Sequence, residues 1–395
     1  MTTRRQFLQQ SALVSLSPLL PTFLSRSVTA SDAKKDDRVL VVIQLDGGND
    51  GLNTVIPYAD ENYSRLRSAL RIDTKEIIKL NDTVGLHPAL KAAADLFNDN
   101  RLTIVQGVGY PNPNRSHFES MAIWHHARLA ADGHDGNGWL GRAAESLQPR
   151  GTSVPDSIFI GAEVVPVALR GRRANALALQ NESDLQLTAP VGWAVSTTNS
   201  SDITAFVQQS VTQSFDAARQ FRESNQFQSS STSDYPDTKL AHKLQLVSKL
   251  LKLGGQTRIY YVSQSGYDTH AAQLYPHDRL LREFAGALKA FLNDLQAAKL
   301  DDRVVVLAFS EFGRRAAENG SAGTDHGAAG PVFLAGPQVN SGLIGAHPSL
   351  TDLDEGDLKM SVDFRQIYAA ILTNWLRVDH TSIFTETVEP IAILS

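Results

Sequence analysis

The chain, 395 residues long, contains no cysteine. That excludes disulfide bonds, thiolate metal ligands and a cysteine nucleophile. Basic residues are in deficit, with 37 Lys and Arg against 42 Asp and Glu. A net charge of −5 argues against a nucleic-acid partner or an anionic membrane surface, both of which recruit basic patches. No segment after the first thirty residues has enough continuous apolar residues to span a bilayer, so no integral membrane span is expected. There is no internal repeat, no H-E-x-x-H metalloprotease helix, no Walker loop and no G-x-S-x-G elbow. What remains, at 42% hydrophobic and 20% charged residues, is the composition of an ordinary globular enzyme.

The first thirty residues read as an address. Thr3-Arg4-Arg5-Gln6-Phe7-Leu8 has the form of a twin-arginine export signal, and a modestly apolar stretch and a small-residue site at Val28-Thr29-Ala30 follow it. Residues 1–30 are therefore set aside as a signal peptide, and a periplasmic or secreted location is expected. Removing Arg4, Arg5 and Arg26 from the 37 basic residues leaves 34 against 42 acidic, a net of −8. Residues 31–395 are expected to form a single domain with insertions around 130–237, long enough for a large core.

Apolar strands alternate with amphipathic helices along that length. Strands are predicted over Arg38–Leu45, Leu102–Gln106, Ser157–Ile160, Val164–Leu169, Arg258–Ser263, Arg303–Phe309 and Pro331–Ala335. Helices are predicted over Pro88–Asn98, Ser116–Arg128, Ser201–Glu223, Thr238–Lys252, Asp278–Ala298 and Phe364–Leu376, with a polar loop over Ser224–Asp237. Ser116 and Glu119 have the spacing of a capping box. This order predicts an α/β fold with a largely parallel sheet wrapped on both faces.

Acids and histidines gather where the predicted strands end, which is where open α/β sheets bind ligands. Asp46 closes the first strand and opens the turn Asp46-Gly47-Gly48-Asn49-Asp50-Gly51. Asp268 and His270 follow the Arg258 strand, Glu311 follows the Arg303 strand, and Asp325-His326 precedes the Pro331 strand. Carboxylates with imidazoles are a donor set for divalent metals, and two ions are expected from among Zn, Mn, Ca and Mg. His277 is a spare ligand, and His125 and His126 read as packing or surface residues. Glu311 could equally form a solvated ion pair with Arg314. Ser116, at a predicted helix start, would lie in positive potential, where a metal could make its hydroxyl a nucleophile. Beside it, Arg115 is a candidate anion clamp, and His117 a candidate ligand or general acid.

At four segments the chain resembles a bacterial family catalogued as domain of unknown function 1501. They are VVIQLDGGNDGLNTVIPY, GYPNPNRSHFESMAIWHHA, SQSGYDTHAAQ and SEFGRRAAENGSAGTDHGAAGPVFLAGP. The resemblance implies a branch of the alkaline phosphatase and sulfatase superfamily, hence a three-layer sandwich with two metals at the carboxyl edge of its sheet. It also implies cleavage or transfer of phosphate or sulfate esters through a metal-bound nucleophile. By position Asp46 resembles the first-strand metal aspartate, Ser116 the nucleophile, Asp268 and His270 one Asp/His pair, and Asp325-His326 the late pair. Glu311 competes with Asp325 for the late carboxylate. Ser157, not Arg, follows Ser153-Val154-Pro155-Asp156, so a formylglycine sulfatase is not expected. The combined expectation is an exported metal-dependent hydrolase of a small-molecule or polymer ester. The alternatives are a non-catalytic metal-binding or envelope-associated protein on the same fold, and a metal-dependent oxidoreductase.

Overall fold

Val39–Asp46 forms strand β1, and its alternation explains the layering. Val39, Val41, Ile43 and Leu45 enter the core on one face, whereas Leu40 and Val42 enter the core on the other. A strand buried on both faces reads as one apolar run, as this one does. The computed structural model describes residues 37–130, 133–147, 154–174, 176–186 and 234–394. The expected signal at 1–30, the helix at 201–223 and most of the loop at 224–237 lie outside the described residues. Residues from Arg38 onward cluster as a unit of their own.

In chain order the elements that build the layers are helix α1 (Lys91–Asn98), strand β2 (Leu102–Gly109), helices α2 (His117–His126) and α3 (Trp139–Ser146), and strands β3 (Ser157–Ile160) and β4 (Ala176–Leu179). Next come helix α4 (Lys239–Lys252), strand β5 (Ile259–Ser265), helix α5 (Leu274–Ala297), and strands β6 (Val304–Phe309), β7 (Gly330–Ala335), β8 (Gly342–Ile344) and β9 (Val362–Asp363). Helix α6 (Phe364–Ala370) follows, and its last residue runs into a π turn over Ile371–Leu376. Among the described residues nine strands form one sheet in the order β8-β2-β7-β6-β1-β5-β3-β4, with β9 also pairing with β2. Strand β7 is antiparallel to both its neighbours, and the other pairings are parallel. Asp46 is in register with Ser265, and Gln44 with Phe309, so β1, β5 and β6 end on one edge.

Helices α1, α4 and α5 cover one face through residues such as Leu96, Leu244, Leu288 and Phe291. Helices α2, α3 and α6 cover the other. There Trp124 stacks on Phe364 at 4.3 Å and on Phe309 at 5.0 Å, and Trp139 stacks on Tyr368 at 3.9 Å. Each such aromatic contributes about 2–3 kcal/mol by burial alone. The expected three-layer α/β architecture is therefore the observed one. No helix among the described residues is long and apolar enough to cross a membrane.

Three local expectations need correction. Val164–Leu169 is not a strand: only Val167–Leu169 is regular, as a 3-10 turn after Pro166. Proline has no N–H to give a ladder. Ser116 does sit at the N-cap of α2, but its side chain makes no capping bond, so the Ser116/Glu119 box is not formed. Asn114 Oδ1 instead accepts from the Ser116 N–H at 2.8 Å. A capping box does form at α6, between Asp363 and Gln366. Helix α5 starts at Leu274, four residues before the predicted Asp278, because Pro276 is tolerated in a first turn.

Candidate metal centre

Tight turns bring the loops after β1, β5 and β6 together. Gly47 has φ +117°, and a Cβ there would lie 2.5 Å from the Asp268 nitrogen. Only glycine lets the β1 loop rest against the β5 loop in this way. Its N–H donates to Glu311 Oε1 at 3.0 Å. Arg314, fully buried, ties the same loops from within. Its Nε donates to the Gly48 carbonyl at 2.7 Å and Nη1 to the Thr324 carbonyl at 2.8 Å. Its Nη2 donates to the Tyr267 carbonyl at 3.1 Å, to Asp268 Oδ1 at 2.7 Å and to the Gly47 carbonyl.

Three imidazoles converge on Asp268 Oδ1. His270 Nε2 lies 3.0 Å from it, His326 Nε2 3.2 Å and His117 Nε2 3.4 Å. The Nε2 atoms of His270 and His326 are 2.9 Å apart. The donor atoms of His117, Asp268 and His326 all lie within 4.8 Å of one another and could hold a metal ion. The other nitrogen of each ring is also engaged. His117 Nδ1 meets Glu311 Oε1 at 2.7 Å, His270 Nδ1 meets Asp325 Oδ1 at 3.2 Å, and His326 Nδ1 meets the Arg115 carbonyl at 2.7 Å. The donor chemistry fits a divalent ion. His117 Nε2 is shielded from solvent with no hydrogen-bond partner, and the 3.0–3.4 Å spacings to Asp268 Oδ1 approach the ~3.3 Å edge of a tetrahedron with bonds near 2.0–2.1 Å, while His270 stands beside the three donors that are mutually within 4.8 Å.

The environment also tunes the ionisable groups. Burial pushes the Asp268 carboxyl up, but the Arg314 guanidinium and the neighbouring histidines overcome it and hold it at about 2. The hydrogen bond from Asn319 lowers Asp325, against a smaller burial effect. Burial raises Asp46, and the negative charge of Glu311 raises it further. His117 is raised, first by its hydrogen bond to Glu311.

Of the residues singled out in the sequence, Asp268, His270, His326 and His117 form the cluster. Glu311 and Asp325 stand behind His117 and His270. Glu311 is fully buried, bonded to Gly47 and His117 with Ser310 Oγ 3.0 Å from Oε2, and makes no ion pair with Arg314. Half-buried Asp46 accepts from Gln44 Nε2 at 3.2 Å and feels the charges of Glu311 and His117. Ser116 is exposed. Arg115 is turned away from the cluster: its guanidinium pairs with Asp357 at 2.7 Å and Glu355 at 3.6 Å, so only its carbonyl serves the site. His277 is buried against Asn49 Oδ1 at 3.0 Å and does not reach the cluster. Of the packing and surface roles expected for His125 and His126, both are buried and take the packing role.

Sequence reasoning missed Arg314, Asn319 and Ser310. Arg314 passed as a surface charge beside Glu311, and no local signal marks it as buried. Asn319 Nδ2 donates to Asp325 Oδ1 at 3.1 Å and to the His270 carbonyl at 3.0 Å. The surrounding Glu-Asn-Gly-Ser turn gives no hint of that.

Among solved structures, the C-terminal periplasmic domain of EcEptC from Escherichia coli in complex with Zn is similar at 10% identity and a TM-score of 0.41. The match covers 92% of this chain and 94% of that one. The PsFucS1 sulfatase from Pseudoalteromonas sp. is similar at 10% identity and a TM-score of 0.41, over 96% of this chain and 72% of that one. No curated protein matches the chain in sequence. The family described as "Protein of unknown function (DUF1501)" matches residues 37–389, so the chain belongs to that family.

Proposed function

We propose that the protein is an exported, metal-dependent hydrolase of phosphate or other anionic esters. The observation that carries this reading is the convergence of three imidazole Nε2 atoms on one Asp268 oxygen, at the carboxyl edge of the sheet. A divalent ion held there would draw charge from an ester oxygen and acidify a nearby water or hydroxyl. The alkaline phosphatase-like resemblance of the four segments quoted above points to the same chemistry.

The chain's own residues supply the rest. Ser116 is exposed and makes no capping bond, immediately before the free N–H groups of α2. That end of a helix favours an anion, so Ser116 is the candidate nucleophile. His117 has Nδ1 on Glu311 and Nε2 in the cluster, so it serves as a ligand and not as the general acid. Arg115 acts through its carbonyl, which holds His326, and not as an anion clamp. Residues 1–30 act as the export signal, and the rest forms one functional domain.

Because Arg115 is engaged, a second reading survives: a non-catalytic metal-binding or envelope-associated protein. The purified full chain, assayed with aryl phosphate, phosphodiester and aryl sulfate esters, separates the two. Metal-dependent hydrolysis that His326→Ala abolishes and Ser116→Ala reduces at least about 100-fold supports the enzyme. Bound metal with no hydrolysis supports the second reading. A chain that binds no metal refutes both.

A further inference from the structure

We infer that the centre holds one ion rather than two. Its ligands are Nε2 of His117, His270 and His326 and one oxygen of Asp268, and Glu311 and Asp325 are positioning residues outside the coordination sphere. This rests on the cluster being a metal site, and it departs from the two ions expected from the sequence.

The argument starts from proton inventory. A neutral imidazole carries one N–H, and the partner of one nitrogen decides the role of the other. The Arg115 carbonyl can only accept, so its 2.7 Å contact places the His326 proton on Nδ1. Glu311 Oε1 at 2.7 Å and Asp325 Oδ1 at 3.2 Å engage the Nδ1 atoms of His117 and His270 in the same way. Three Nε2 lone pairs are then left facing one carboxylate oxygen. Of these four atoms Arg314 meets only the Asp268 oxygen, and a cation among the three Nε2 atoms would stabilise them together. Outer partners of this kind are the usual support for metal-bound histidines.

Two of the three expected ligands that lie outside the cluster, Glu311 and Asp325, are already in use. Glu311 is fully buried and accepts from Gly47 N–H at 3.0 and 3.3 Å as well as meeting His117. Asp325 Oδ1 serves His270 and Asn319 together. Arg314 cannot ligate; its Nη2 lies 2.7 Å from Asp268 Oδ1 and holds that carboxylate in place. The nitrogen-rich set suits a borderline ion such as Zn, and not Mg or Ca, which take oxygen ligands. With Asp268 and His270 about half exposed, solvent reaches the ion on one side, where a fifth ligand can enter.

The test is metal stoichiometry, which does not depend on knowing the substrate. The full chain is stripped with chelator and titrated with Zn²⁺, with bound metal counted by elemental analysis. One equivalent is expected. Cobalt substitution should give a visible spectrum that His117→Gln alters. Glu311→Gln and Asp325→Asn should keep one equivalent with affinity weakened roughly 10–100-fold, and Asp46→Asn should leave it unchanged. Two equivalents, one of them lost in Asp46→Asn or Glu311→Gln, would overturn the inference and leave the proposed function standing. No bound metal would overturn both. Circular dichroism of each variant separates lost ligation from lost fold, and the stoichiometry of the unmodified chain stands independently of every variant.

Discussion

Replacing Arg67 by Met should be among the most damaging single changes outside the metal cluster. Arg67 and Asp50 are both completely buried and meet in a bidentate pair, Nη1 to Oδ2 at 2.5 Å and Nη2 to Oδ1 at 2.9 Å. The guanidinium also donates to the carbonyls of Ala316 at 2.7 Å and Arg315 at 2.9 Å. Asp50 accepts in addition from Gln273 Nε2. Gln273 Oε1 in turn accepts from Thr269 at 3.1 Å and Thr324 at 2.6 Å, one residue from Asp268 and one from Asp325. Burial alone would raise Asp50, yet Arg67 brings it from 3.8 to about 2. That shift corresponds to roughly 2 kcal/mol. Because the folded value lies below the unfolded one, this stability is present above about pH 4 and is lost as pH falls through 2. Arg67→Met strands the carboxylate and two carbonyls, for an expected loss of about 3–5 kcal/mol. Equilibrium urea unfolding at pH 7, followed by circular dichroism, measures it. The double variant Asp50→Leu, Arg67→Met removes both charges and should recover part of the loss. A loss below about 1 kcal/mol in Arg67→Met would refute the reasoning, since a buried charge cannot lose its only buried cation so cheaply.

Acid should weaken the fold through two histidines beneath the site. Burial holds His277 and His87 down at about 4, although Asp50 opposes it at His277 and Asp278 at His87. Their folded values lie below the unfolded 6.5, so the unfolded chain binds protons first and stability falls as pH drops from about 6.5 toward 4. Each should cost about 2 kcal/mol between pH 7 and pH 5. His277→Gln should flatten that limb, and an unchanged limb in unfolding measured at both pH values would exclude His277 as its source. Changing Arg4 and Arg5 together to Lys should hold the precursor in the cytoplasm, as read by cell fractionation. Normal export of that variant would rule out the twin-arginine route.

How much was legible beforehand is clearest at β1 and β6. VLVVIQLD and VVVLAF are apolar at every buried position except Gln44, and that pattern alone required helices on both faces of a parallel sheet. Val164–Leu169 looked like a strand because it is apolar, but Pro166 was the stronger signal and went unheeded. Strand β4 (ALAL) was missed because Ala carries little strand preference. Within the site, Asp268, His270 and His326 could be named from strand-end position.

By itself the sequence determined the layered α/β frame and the supply of acids and imidazoles at the ends of β1, β5 and β6, because burial periodicity and loop position are local properties. It could not divide those acids into those facing the cluster and those behind it. Glu311 and Asp325 look as much like ligands as Asp268 does. What separates them is contact with His117, 194 residues away, and with His270, 55 residues away. Only the folded chain sets such pairings. Arg314 shows the same limit: a charge five residues past a strand became the buried knot of three loops only when Gly47 let them close on it.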